Sequence, residues 1–165
     1  MSLLKKYYLY TKERFPIPAT FAYAAALYYL SYFFTNIIQN RSPFDPAESI
    51  IGCLVFYMAL FEIRLLDEHK DYAKDVVAHP GRMLSRGEIT LKELRKLLYA
   101  MAALQAVMAI YLGPAPFVVW LAIQVFALLM FKEFFVPDFL NRHMGLYLIS
   151  HQVSVPLALL FGISQ

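Results

Sequence analysis

Only one cysteine, Cys53, occurs in the chain, which excludes an intrachain disulfide and any cysteine-based metal centre. It stands in an apolar run, where a small packed side chain is expected rather than a redox centre. Charge is scarce too: 16% of residues are Asp, Glu, Lys or Arg, against about a quarter in a water-soluble domain. The net charge of +3 reads as membrane orientation and contact with anionic lipid, and no nucleic-acid partner is expected. No soluble domain, linker, low-complexity run or short repeat is visible. The N-terminal MSLLKKYYLYTKERF is too polar for the apolar core of a cleavable signal, and the span after it is too long for one. It reads as a retained juxtamembrane segment.

What the chain has in abundance is apolar. Hydrophobic residues make up 60% of it and the mean hydropathy is +0.52, the composition of a multi-pass membrane protein embedded in a lipid bilayer. Its 12 Tyr and 14 Phe suit lipid interfaces and packed helices. The expected fold is all-α, a single transmembrane helix bundle over residues 1–165. Spans are predicted at 17–38, 47–66, 94–112, 117–131 and 143–163, each near the roughly 20 residues that cross a hydrocarbon core. Pro16 and Pro18 open the first span, where a helix tolerates proline. Gly113-Pro114-Ala115-Pro116 predicts a tight turn, and Pro156 predicts a kink in the last span.

Five spans sort the basic residues by loop. Fourteen of the fifteen Lys and Arg fall on one side, leaving only Arg41 on the other. Positive loops face the cytoplasm, so the N-terminus and the polar 64–95 loop are expected there, with the C-terminus opposite. Asn40-Arg41-Ser42 matches the glycosylation tripeptide, but Pro43 follows and a membrane span adjoins, so a chance match is expected.

The long polar interruption is RLLDEHKDYAKDVVAHPGRMLSRGEITLKELR, Arg64 to Arg95. Asp67, Asp71 and Asp75 recur every four residues and would form one acidic stripe on a helix, with Glu68 beside it. Like charges at that spacing repel, so a cation is expected against them. Carboxylates supply the hard oxygens that Mg²⁺ prefers, commonly together with substrate phosphates. Arg82 and Arg86 lie downstream among Pro80, Gly81 and Gly87, in a turn able to fold back toward anionic oxygens. A metal-bridged diphosphate fits this combination. A solvated loop of mixed charge fits the composition equally.

The spacing of DEHKDYAKDVVAHPGRMLSRGEI resembles the first aspartate-rich motif of the UbiA family, the intramembrane prenyltransferases. That pattern is N-D-x-x-D-x-x-x-D, a short spacer, P-x-R-P and a glycine before Ile or Val. Asp67 takes the Asn position and Glu68 the first Asp. Asp71 and Asp75 match the second and third Asp, Pro80 and Arg82 the P-x-R pair, and Gly87 and Ile89 the last element. Arg14 with Pro16 looks like the family's Arg and Pro before its first helix. The resemblance implies a membrane prenyltransferase that moves a prenyl group from a Mg²⁺-bound isoprenoid diphosphate to an acceptor of unspecified class. Carried over, Glu68, Asp71 and Asp75 are the metal ligands, with Asp71 and Asp75 central to catalysis. Arg82, Arg14 and Asp67 would then contact the diphosphate.

The chain departs from the pattern in three ways. Asp67 replaces the Asn and Met83 the second Pro, and five spans stand where family members have about nine and a second aspartate-rich loop. The chain thus corresponds to the N-terminal half of a nine-helix fold. Beyond Asp75 only Glu88, Glu93, Glu133 and Asp138 are acidic, and none forms a D-x-x-x-D pair. A complementary polypeptide, or a homodimer about a two-fold axis normal to the membrane, would supply the missing half. A non-catalytic truncated relative, acting as scaffold or partner subunit, is the alternative.

Other polar residues carry weaker expectations. His69, His79, His143 and His151 show no metal-ligand spacing, so surface or packing roles are expected. Glu62, near the end of the second span, would contact substrate or pair with a basic neighbour. Tyr28, Tyr29, Tyr32 and Phe33 form an aromatic patch suited to lipid contact or helix packing, or to lining a prenyl tunnel.

Overall fold

The computed structural model describes residues 1–41 and 45–165. Ser42 lies outside the described residues, and the Asn40-Arg41-Ser42 tripeptide with it. Among the described residues the regular elements are helical, with no strand. A short amphipathic helix α1 (Leu3–Arg14) precedes α2 (Ile17–Ile38) and α3 (Pro46–Lys70). Then come α4 (Tyr72–Ala78), α5 (Leu91–Leu112) and α6 (Pro114–Phe131), followed by α7 (Pro137–Arg142), α8 (Met144–Gln152) and α9 (Ser154–Ile163). Five segments are long and apolar enough to cross a membrane: α2, α3, α5, α6 and Met144–Ile163.

Local chemistry explains where these helices begin. Pro46 and Pro114 occupy first turns, whose N–H groups lack intrahelical partners in any case. The Asp45 carboxylate accepts from Glu48 N at 2.9 Å and caps α3. Thr90 and Glu93 form a reciprocal capping box at the start of α5. Gly113, at φ +118°, joins α5 to α6 in a conformation that L side chains avoid.

The spanning helices close into a ring: α2 packs on α3, α3 on α5, α5 on α6, α6 on α9, and α9 back on α2. α3 also reaches across to α6 and α9. Small residues allow the closest approach. Gly162 of α9 lies against Ser31 and the Tyr28 carbonyl of α2, one turn beyond buried Ala158. Tyr28, Tyr32, Cys53, Phe56, Trp120 and Phe161 fill the centre. A second cluster lies at the end carrying α4, where Tyr10 of α1 meets Phe61, Leu65, Met83, Ile89 and Leu94. Leu30, Ile37, Val107, Ile110 and Val125 stay exposed on the outside, the surface a bundle presents to lipid. The aromatic patch divides accordingly, with Tyr28 and Tyr32 stacked in the core and Tyr29 stacked on Phe33.

Two sequence-based expectations need correction. The segment 64–95 is not one loop: α3 continues to Lys70, and α4 follows after a break at Asp71. Residues 67–70 stay helical because Glu68 and Lys70 find partners along the bundle, so their polarity does not end the helix. The acidic stripe therefore spans two helices, with Asp67 on α3, Asp75 on α4 and Asp71 at the break between them. The last span is interrupted in its middle, as Pro156 predicts, into α8 and α9. The break falls at Val153, three residues before Pro156, which has no N–H for the Gln152 carbonyl and crowds it. Ser154 Oγ donates to the His151 carbonyl there at 2.8 Å.

Candidate functional site

At the end of the bundle where α3 stops, the carboxylates of the acidic segment point in two directions. Glu68 and Asp75, seven residues apart, face α1 and the turn after α4. Asp67 and Asp71 face α7 and α8.

On the first face, Glu68 is almost fully buried, its side chain 1% exposed. Its Oε1 accepts from Arg14 Nε at 2.7 Å and from Arg64 Nη2 at 2.7 Å. Arg82 Nη1 donates to Asp75 Oδ2 at 2.7 Å, and Arg14 Nη2 lies 4.0 Å from that oxygen. Arg14 thus touches carboxylates on both sides of the Asp71 break, although 54 residues separate it from Glu68. α1 is held there by further bonds. Glu13 Oε1 accepts from Met83 N at 3.1 Å, Lys6 Nζ donates to Glu93 at 2.7 Å, and the Tyr7 hydroxyl donates to the Glu93 carbonyl at 2.9 Å. Met83, standing where the motif has proline, is buried and uses its N–H in that bond. The Tyr10 hydroxyl and Arg64 Nε are buried without a hydrogen-bond partner among the described residues. Burial first, and then the neighbouring Glu68 charge, push the Tyr10 phenol far above its ordinary range.

The second face is a pocket of about 230 Å³ lined by Asp71, Lys74, Glu133, Asn141, Met144 and Tyr147. Lys70 Nζ bonds the Tyr147 hydroxyl at 3.3 Å and lies 3.9 Å from Asp67 Oδ1 and 4.0 Å from Glu133 Oε1. The Asp71 carboxylate has no ion pair or hydrogen bond among the described residues. Glu133 reaches this pocket because Glu133, Phe134 and Phe135 all take positive φ, at 48°, 53° and 62°, and reverse the chain after α6.

A separate polar network lies inside the bundle. Glu62 Oε2 accepts from Gln105 Nε2 at 2.8 Å and Gln124 Nε2 at 3.0 Å, and Trp120 Nε1 donates to Gln105 Oε1 at 3.3 Å. Amides from α5 and α6 take the place of the expected basic neighbour. Two glutamines inside apolar spans were the available signal. Among the histidines, His69 lies against the Leu65 and Leu91 carbonyls and His151 stacks on Tyr147, while His79 and His143 are exposed.

Among the described residues no three His, Cys, Asp or Glu side chains come together closely enough to hold a metal between them. Mg²⁺ does not require such a cage, because it binds through one or two carboxylates plus phosphate oxygens and retained waters. Asp71, unpaired and open to the pocket, and Asp67 one turn before it fit that donor set. Glu68 and Asp75 fit it less well, since both already hold guanidinium groups. No family model, curated protein or solved structure matches the chain.

Proposed function

We propose that this chain belongs to a membrane prenyltransferase and binds an isoprenoid diphosphate at the end of the bundle formed by α1, α4 and the turn after α4. The observation that carries the reading is the meeting of Arg14, Arg64 and Arg82 with Glu68 and Asp75 beside an unpaired Asp71. Three guanidiniums around two carboxylates leave positive charge to receive phosphate oxygens. Asp71, at the junction of the two faces and one helical turn before Asp75, would hold a Mg²⁺ together with Asp67, and Glu68 would fix Arg14 and Arg64 in place. Bound there, the ion would offset the charge of the departing diphosphate. In the transfer, the allylic carbon–oxygen bond breaks with its electron pair on the diphosphate, an acceptor nucleophile bonds to that carbon, and its proton is released. Arg14 and Arg82 would bind and orient the diphosphate, and the apolar helices would take the prenyl tail.

In this reading the site faces the cytoplasm, and a complementary chain or a second copy completes it. Activity on a prenyl diphosphate from a strictly monomeric preparation would exclude the second copy. A non-catalytic scaffold is the second reading, favoured by the arginines that already neutralise Glu68 and Asp75. Titration of the detergent-solubilised protein with geranylgeranyl diphosphate separates the two. The enzyme reading expects Mg²⁺-dependent binding, weakened about 10–100-fold in Asp71→Asn or Arg82→Ala, the worth of one charge-assisted contact. Binding unaffected by chelation or by Asp71→Asn overturns the site.

A further inference from the structure

Beside the acidic end, but on the outer side of α3, a cleft of about 340 Å³ opens between α3, α5 and α6. Leu66, Leu98, Leu128 and Phe131 make its walls apolar, and Arg95 and Tyr99 stand at its edge. Its size lies within the roughly 300–1,000 Å³ typical of ligand pockets. His69 closes one side, with both ring nitrogens against backbone carbonyls and so unavailable to a ligand.

Charge identifies the occupant. Lys92, Arg95, Lys96 and Tyr99 fall at spacings of three and four residues and line one exposed stripe over the first two turns of α5. The three cations have no ion pair or hydrogen bond among the described residues. At the same end Arg14, Arg64, Lys70 and Arg82 are paired with carboxylates, as is Lys6 on α1, and Lys5, Lys12 and Lys74, unpaired among the described residues, do not line this cleft. Like charges one turn apart repel, and an anion between them relieves that repulsion. The stripe sits at the end of a spanning helix, the level of lipid headgroups, with an apolar cleft beside it.

We infer that this cleft is a binding site for an anionic phospholipid of the surrounding bilayer. Its phosphate lies on Arg95, Lys92 and Lys96, and one acyl chain lies along Leu66, Leu98 and Leu128. Basic pockets between spanning helices take anionic headgroups in this way. The site uses none of the residues assigned to the diphosphate and stands independently of that assignment.

Native mass spectrometry of the full chain in detergent tests this, with phosphatidylglycerol and phosphatidylcholine of identical chains as competing probes. The wild type is expected to retain one phosphatidylglycerol with about tenfold preference, as a few surface-attracting cations give. The exposed triple variant K92Q/R95Q/K96Q should lose that preference. Leu128→Trp, which fills the cleft and keeps the cations, should lose retention of both lipids. Equal retention of the two lipids by the wild type overturns the proposal without any variant. So does a preference that survives the triple substitution. Displacement of bound phosphatidylglycerol by geranylgeranyl diphosphate also overturns it, and would assign the cleft to a prenyl donor.

Discussion

Replacing Glu68 with Ala will destabilise the protein by about 3 kcal/mol and release its N-terminal helix, because it strands two guanidiniums that share one buried carboxylate. Removing one partner of a buried pair typically costs about 3–5 kcal/mol, and the partly solvated arginines here favour the low end. The midpoint of thermal unfolding in detergent reads the stability. Trypsin cleavage after Lys5, Lys12 and Arg14 reads the release of α1. The Arg86–Glu88 pair supplies the control, being equally short at 2.7 Å but with side chains 45% and 44% exposed. Glu88→Ala should leave both readouts unchanged, since solvent screens such a pair. If Glu68→Ala behaves like Glu88→Ala, the carboxylate does not hold α1 in place.

A second large effect is expected at Gly162, where substitution by Leu should cost about 1–3 kcal/mol through overpacking. A Cβ there would stand 3.1 Å from the Tyr28 carbonyl oxygen and 3.2 Å from Ser31 Cβ, and would collide with Ser31 Oγ. The carbonyl belongs to the α2 backbone, so relief requires moving one helix off the other. Gly52 makes the comparison informative. Its added Cβ would meet the Tyr28 hydroxyl and the Gln165 amide, which are ends of side chains that can swing aside. Gly52→Ala should therefore cost less than Gly162→Ala, and thermal unfolding of the two alanine variants checks the order. A larger loss at Gly52 would mean that the Tyr28–Gln165 hydrogen bond, 2.8 Å long, matters more than the close backbone approach.

Hydropathy made the five spans legible because a helix crossing hydrocarbon must be long and apolar, and each observed segment overlaps its predicted one. Their ends were less legible. α3 runs on through Asp67-Glu68-His69-Lys70 because local pairs such as Arg64–Glu68 and Asp67–Lys70 are joined by partners far away in sequence, Arg14 on Glu68 and Tyr147 on Lys70, which no local pattern announces. For the same reason the Arg14–Glu68 pair, the Glu13 carboxylate on Met83 N and the Lys70–Tyr147 contact were out of reach. Arg14, Asp75 and Arg82 were singled out from spacing, and the fold brings them together. Asp67 and Asp71 were singled out too, yet Asp71 lines another pocket and Asp67 pairs with Lys70 rather than with the arginines. Glu62 was visible as a polar residue in an apolar span. Its glutamine partners required knowing which faces of α5 and α6 turn inward.

The reversal at Glu133–Phe135 sets where this bundle opens first. Non-glycine residues held at positive φ cost about 1–3 kcal/mol each, and three in succession form a reserve of unfavourable energy that only surrounding contacts hold. Those contacts are few: Phe134 lies edge-on to Phe126 and His151, and Glu133 stands 4.0 Å from Lys70. Local opening there recovers backbone energy at once, whereas opening elsewhere in the ring only loses contacts. The turn at residues 133–135, beside the pocket that holds Asp71, is therefore expected to open before the helices that flank it.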